Sequence, residues 1–79
     1  MISHTSEERI VIGYKQVLKA VKSGICKKIF VAEDCSEDMA ETILEEASAI
    51  PTERFSSMRD LGRECGIDVP ASCAAIVRL

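Results

Sequence analysis

The chain has 79 residues, 47% of them hydrophobic, with 10 basic and 13 acidic side chains and a formal charge of −3. That length allows one small domain over residues 1–79, and the apolar content suffices for a core, which argues against disorder. No apolar run approaches a membrane span and residues 1–8 have no signal-peptide pattern. A soluble, cytoplasmic chain that does not engage a membrane is therefore expected.

In chain order, Arg9-Ile10-Val11-Ile12 is a short β-branched run that predicts a strand ending at Gly13. Tyr14, Val17, Leu18 and Val21 then stand at i, i+3, i+4 and i+7, one buried face of a helix over 14–23 that stops at Gly24. Ile29-Phe30-Val31-Ala32 reads as a strand covered on both faces. Ser36 is a candidate cap for the next helix, with Glu37 and Asp38 in its first turn. Met39, Ile43, Ala47 and Ile50 would form its inner face, and Pro51 would end it. Residues 52–55 predict a short strand. Ser57-Met58-Arg59-Asp60 resembles a capping box with Asp in place of Glu, opening a helix whose Met58, Leu61 and Cys65 point inward. After Gly66 and a loop at 67–70, residues 72–77 read as a last buried strand. Strand and helix alternate throughout, which gives an α/β layered sandwich.

The charges are segregated. Residues 9–28 carry six basic side chains (Arg9, Lys15, Lys19, Lys22, Lys27 and Lys28) and no acid, whereas residues 33–46 carry seven acids and no base. If the two blocks lie on different faces, one surface is basic and suited to a polyanion. Two ordinary solvated faces would account for the same pattern. The cysteines Cys26, Cys35, Cys65 and Cys73 form no C-x-x-C pair, and His4 is the only histidine, so no metal or other cofactor is expected. The thiols read as small buried hydrophobes. No His, Asp or Asn pattern stands beside any of them to activate a nucleophile, so the chain does not read as an enzyme.

Two segments carry chemistry. Gly13 precedes the basic helix, where a glycine permits close backbone approach and a helix N-terminus offers free N–H groups to phosphate oxygens. Lys15, Lys19 and Lys22 would add point charges along that surface. Gln16 differs in kind, because its amide both donates to and accepts from base edges. Lysine and glutamine are also simply good helix formers, and the residues alone leave both readings open. In the second segment, Ile67 and Val69 are apolar residues in a loop, on either side of Asp68, and such residues can cover an extruded base.

Taken together, residues 12–24 and Leu61-Gly62-Arg63-Glu64-Cys65-Gly66-Ile67-Asp68-Val69-Pro70-Ala71 resemble the kink-turn RNA-binding family of ribosomal proteins. Phe30-Val31-Ala32-Glu33-Asp34-Cys35 is similar to that family's central strand and following turn. The resemblance spans roughly residues 6–78, and in length the chain is most like the small bacterial homologues. It implies a three-layer α-β-α sandwich with a four-stranded mixed sheet. It also implies a partner: structured RNA with a kink-turn, a duplex bent at a bulge flanked by tandem sheared G·A pairs, in ribosomal RNA or a riboswitch-like RNA. The chain would act as a monomer, associated with the ribosome. By the same resemblance, Lys15, Gln16 and Lys19 match the positions that contact the guanines and neighbouring phosphates, and Ile67, Asp68 and Val69 match the loop that covers the bulge. Lys15-Gln16 stands where the archaeal members have Asn-Glu, and Asp68 replaces a longer glutamate. A protein-interaction module on the same fold, using the acidic stretch around Glu37 to Glu46, is the alternative.

Overall fold

A computed structural model describes residues 4–79. Of the 1–8 stretch read as free of a signal-peptide pattern, residues 1–3 lie outside the described residues. The elements are β1 (Glu8–Ile12), α1 (Tyr14–Lys22), β2 (Cys26–Ala32), α2 (Glu37–Glu46), β3 (Thr52–Phe55), α3 (Met58–Glu64) and β4 (Cys73–Arg78). The sheet order is β1-β4-β2-β3. β4 runs antiparallel to both β1 and β2, while β2 and β3 run parallel, so the sheet is mixed as expected.

The period-two alternation of the central strands divides the core. Ile29, Val31, Cys73, Ala75 and Val77 point to one face, where they pack with Val17 and Ala20 of α1, Ile43 of α2 and Ala47. Phe30, Ala32, Ala74 and Ile76 point to the other, against Leu61 of α3 and Ala71. Two helices thus cover one face and one covers the other, the three-layer arrangement that the resemblance implied. Because β2 and β4 are buried on both faces, continuous apolar runs rather than amphipathic ones build the centre.

Several boundaries differ from the sequence reading. β2 begins at Cys26, ahead of its apolar run, because Cys26 and Lys28 pair with Val77 and Ile76 across an irregularity in register. Lys27 is exposed there and bonds to Glu8 of β1 at 2.6 Å. β4 extends to Arg78. α2 stops at Glu46 rather than continuing to Ile50. Glu45 and Glu46 set negative charge at the negative end of the helix dipole, and Pro51 disfavours helical geometry at Ile50. The chain turns instead, with the Ile50 N–H donating to the Ala47 carbonyl at 2.9 Å. Ala40, not Met39, joins the core on α2. Ser36 flanks α2 without a side-chain capping bond. Ser57 does cap α3, its hydroxyl accepting from the Asp60 N–H at 3.0 Å, but the Asp60 carboxylate accepts from Ser56 rather than completing the box.

The Glu8–Lys27 pair gives a pH prediction. Lys27, then the Thr5 N–H at 2.9 Å, hold the Glu8 carboxyl down at about 2, from an ordinary 4.5. A depressed carboxyl contributes stability above its unfolded value and loses it as the pH falls through its folded value. That contribution is complete above pH 4.5 and vanishes toward pH 2. Lys27→Ala should move the Glu8 titration upward in a carboxyl NMR titration and flatten the dependence of stability on pH in that window.

Candidate functional site

Topology decides which loops meet. Ile12 pairs with Ala74, Val31 with Cys73, and Ala32 with Phe55, so the ends of β1, β2 and β3 and the start of β4 all lie at one edge of the sheet. The start of α1, the 33–36 turn, the start of α3 and the 67–72 loop therefore share that edge. The Gly13 N–H donates to the Cys73 carbonyl at 2.9 Å, which ties the first segment to the strand that follows the second. The Ala32 N–H donates to the Ser72 carbonyl at 3.0 Å, and Asp34 accepts from the Met58 N–H at the start of α3 at 2.7 Å. Two segments about fifty residues apart in sequence are thus held side by side by backbone bonds.

The two glycines of the site act differently. Gly13 has φ 104 and ψ 152, a left-handed conformation that side chains disfavour, and an added Cβ would meet nothing within 4 Å. It is a conformational requirement, and the space beside it is open. Its carbonyl accepts from the Val17 N–H at 3.0 Å. The N–H groups of Tyr14, Lys15 and Gln16 precede the first bonds within the helix, and neither a side-chain cap nor a first-turn acid covers them. Within the protein itself, a close backbone approach occurs at Gly62. That residue is buried in α3, and a Cβ there would collide with the Val69 carbonyl oxygen and lie 3.3 Å from Pro70 Cα.

Gly62 lets the loop lie directly on α3. The Ile67 N–H donates to the Gly62 carbonyl at 3.1 Å and the Ala71 N–H to the Met58 carbonyl at 2.9 Å. Between these two anchors the loop presents Asp68 and Val69 outward. Ile67 packs against the α3-side core, Asp68 is exposed, and Val69, 63% exposed, is with Leu79 one of two large hydrophobic side chains left exposed among the described residues. An apolar residue so exposed yet held so rigidly is suited to covering a flat apolar surface.

On α1, Lys15, Gln16 and Lys19 are exposed, and Gln16 and Lys19 line a shallow groove with Arg9, Val11, Ala20 and Ser23. Lys22 is also exposed and shares the last turn with Lys19, about 10 Å along the axis from Lys15 at 1.5 Å per residue. The basic block is smaller than its sequence count. Lys27 pairs with Glu8, and Lys28 pairs with Glu53 at 3.0 Å and sits 5.2 Å from the centre of the Phe30 ring. Among the described residues, Arg9, Lys15, Lys19 and Lys22 have no ion-pair partner. The acidic block does not occupy an opposite face: α1 and α2 lie side by side on the same face of the sheet. Its first members serve locally, Asp34 bonding to the start of α3.

Sequence reasoning missed Arg59 and Arg63, which line a groove with Ile67, Asp68, Val69 and Pro70. Their i, i+4 spacing on α3 was the available signal. The aromatic side chains serve packing. Phe30 is buried and meets Phe55 edge-on at 5.8 Å between ring centroids, while Tyr14 and Phe55 are half-buried rather than fully buried. Burial raises all four thiols, Cys73 to about 11. Only Cys73 is fully buried; Cys26, Cys35 and Cys65 are half-buried against the two core clusters. Thiolate, the reactive form, is thus disfavoured at neutral pH. Among the described residues no three His, Cys, Asp or Glu side chains are grouped to hold a metal, and no helix is long and apolar enough to cross a membrane.

The profile of the ribosomal protein L7Ae/L30e/S12e/Gadd45 family matches residues 3–79. RNA-binding protein TTE2299 of Caldanaerobacter subterraneus subsp. tengcongensis is 41% identical over 69 residues, covering 85% of this chain and 84% of its own. RNA-binding protein YbxF of Geobacillus stearothermophilus is 38% identical over 72 residues, covering 89% and 88%. Among solved structures, the Giardia lamblia 15.5kD RNA binding protein superposes with a TM-score of 0.71 at 29% identity, over 89% of this chain and 61% of that one.

Proposed function

The chain belongs to the ribosomal protein L7Ae/L30e/S12e/Gadd45 family, and we propose that this RNA-binding member recognises kink-turns in structured RNA. The observation that carries the proposal is the juxtaposition of the α1 N-terminus with the 67–71 loop, fixed by the Gly13 to Cys73 hydrogen bond. The open N–H groups of Tyr14, Lys15 and Gln16, just after Gly13, and the side chains of Lys15 and Lys19 meet phosphates at the bend. Gln16 reads the edges of the sheared G·A pairs, and Ile67, Asp68 and Val69 cover the bulged nucleotides. Lys22, farther along α1, contacts phosphate of the adjoining stem. Ordinary A-form RNA hides its base edges in a narrow major groove, so a bent, bulged site supplies the access that Gln16 needs. Binding selects a bent conformation that the free RNA already visits.

The protein has no catalytic role in this reading. It acts as a monomeric single domain, in the cytoplasm and associated with the ribosome. The test is a gel-shift titration with a kink-turn duplex and a control whose G·A pairs are made Watson–Crick. Tighter binding of the kink-turn supports the proposal, and equal affinity for both overturns it. If about four cationic side chains meet phosphates, log affinity should fall with log salt at a slope of about −3 to −4.

A further inference from the structure

We infer that Arg59 and Arg63 form a second phosphate-binding surface, on the far side of the covering loop, for the RNA strand that leaves the bulge. This rests on the reading that the 67–69 loop covers bulged nucleotides. Both arginines are exposed, one turn apart on α3, and share a groove with residues 67–70. Neither has an ion-pair partner among the described residues. Asp60, the acid between them, accepts from the Ser56 hydroxyl at 2.5 Å and feels both arginines only through space, without an ion pair.

The placement follows from the packing at Gly62. With the loop seated on α3, the exposed Val69 stands as a ridge along the groove that Arg59 and Arg63 line. A nucleotide covered by that ridge sends its chain onward over α3. Guanidinium groups suit the task, because their planar forks bond two phosphate oxygens at once. Asp68 in the same groove repels phosphate from the loop itself and favours a base N–H there, so the two kinds of side chain would divide the nucleotide between them. The bound RNA then straddles the loop instead of ending at it.

The test compares wild type with an Arg59→Gln/Arg63→Gln variant on the kink-turn duplex across a salt series. The variant should bind about 10-fold more weakly at low salt, with a slope shallower by about 1.5, while the preference for the kink-turn over its Watson–Crick control persists. Arg59→Lys/Arg63→Lys should restore most of the slope. Both positions are exposed, and circular dichroism would verify that the variants fold. Unchanged affinity and slope, in a wild type that prefers the kink-turn, would overturn this inference and leave the proposed function standing. No preference in the wild type would remove the proposed function itself.

Discussion

Gly62→Ala is expected to destabilise the fold by about 3 kcal/mol, near the upper end for forcing an extra carbon into a packed site. The added Cβ would collide with backbone, the Val69 carbonyl, so no side-chain rotation can relieve it. Either α3 leaves the sheet, which uncovers Leu61, or the loop lifts from α3 and breaks the bonds at Ile67 and Ala71. For a domain of this size such a loss lowers Tm by roughly 12–24 °C. Urea denaturation measures it. The molecules that remain folded should also bind kink-turn RNA more weakly, because Ile67 and Val69 no longer stand where the bulge meets them. Stability within about 0.5 kcal/mol of wild type would mean that the loop does not rest on Gly62.

Gln16→Ala separates recognition from attraction. The side chain is exposed at the open end of α1, and alanine is at least as good a helix former, so stability should hold or rise slightly. Affinity for the kink-turn should fall by roughly 1–3 kcal/mol, about 5- to 150-fold, while affinity for the Watson–Crick control stays constant. Lys15→Ala should instead weaken both RNAs alike, since a point charge carries no sequence information. Gln16→Glu refines the result. Glutamate only accepts hydrogen bonds, so a variant that binds as well as wild type would show that the glutamine amide acts as an acceptor. Equal losses on both RNAs for Gln16→Ala would place Gln16 among the general contacts.

The layered fold was legible because two strong periodicities coincide in this chain. The α1 face at Tyr14, Val17, Leu18 and Val21 and the β2 run from Ile29 to Ala32 each point to one element type, and both occur. What stayed hidden depends on pairing between distant residues. Cys26-Lys27-Lys28 does not look like a strand, yet β4 draws it into the sheet and Glu8 neutralises Lys27. Asp34 looked like part of an anionic surface, and it instead serves the start of a helix 24 residues away. The role of Gly62 was hidden in the same way. Gly62 lies within a helical sequence where glycine is merely unfavourable, and only the loop folding back over it shows why no larger residue fits. The candidate site was read from its segments, but the bond that joins them, from Gly13 to Cys73, is a backbone contact that no side-chain pattern encodes.

The two-part site is tested most directly by following backbone amide NMR signals while kink-turn RNA is titrated into the protein. The signals of Gly13, Lys15 and Gln16 and those of Ile67, Asp68 and Val69 should shift together and fit one dissociation constant, while the exposed face of α2 stays still. Shifts confined to the lysine side of α1, with the 67–69 loop unmoved at saturation, would contradict the account and reduce the surface to a general attraction for negative charge.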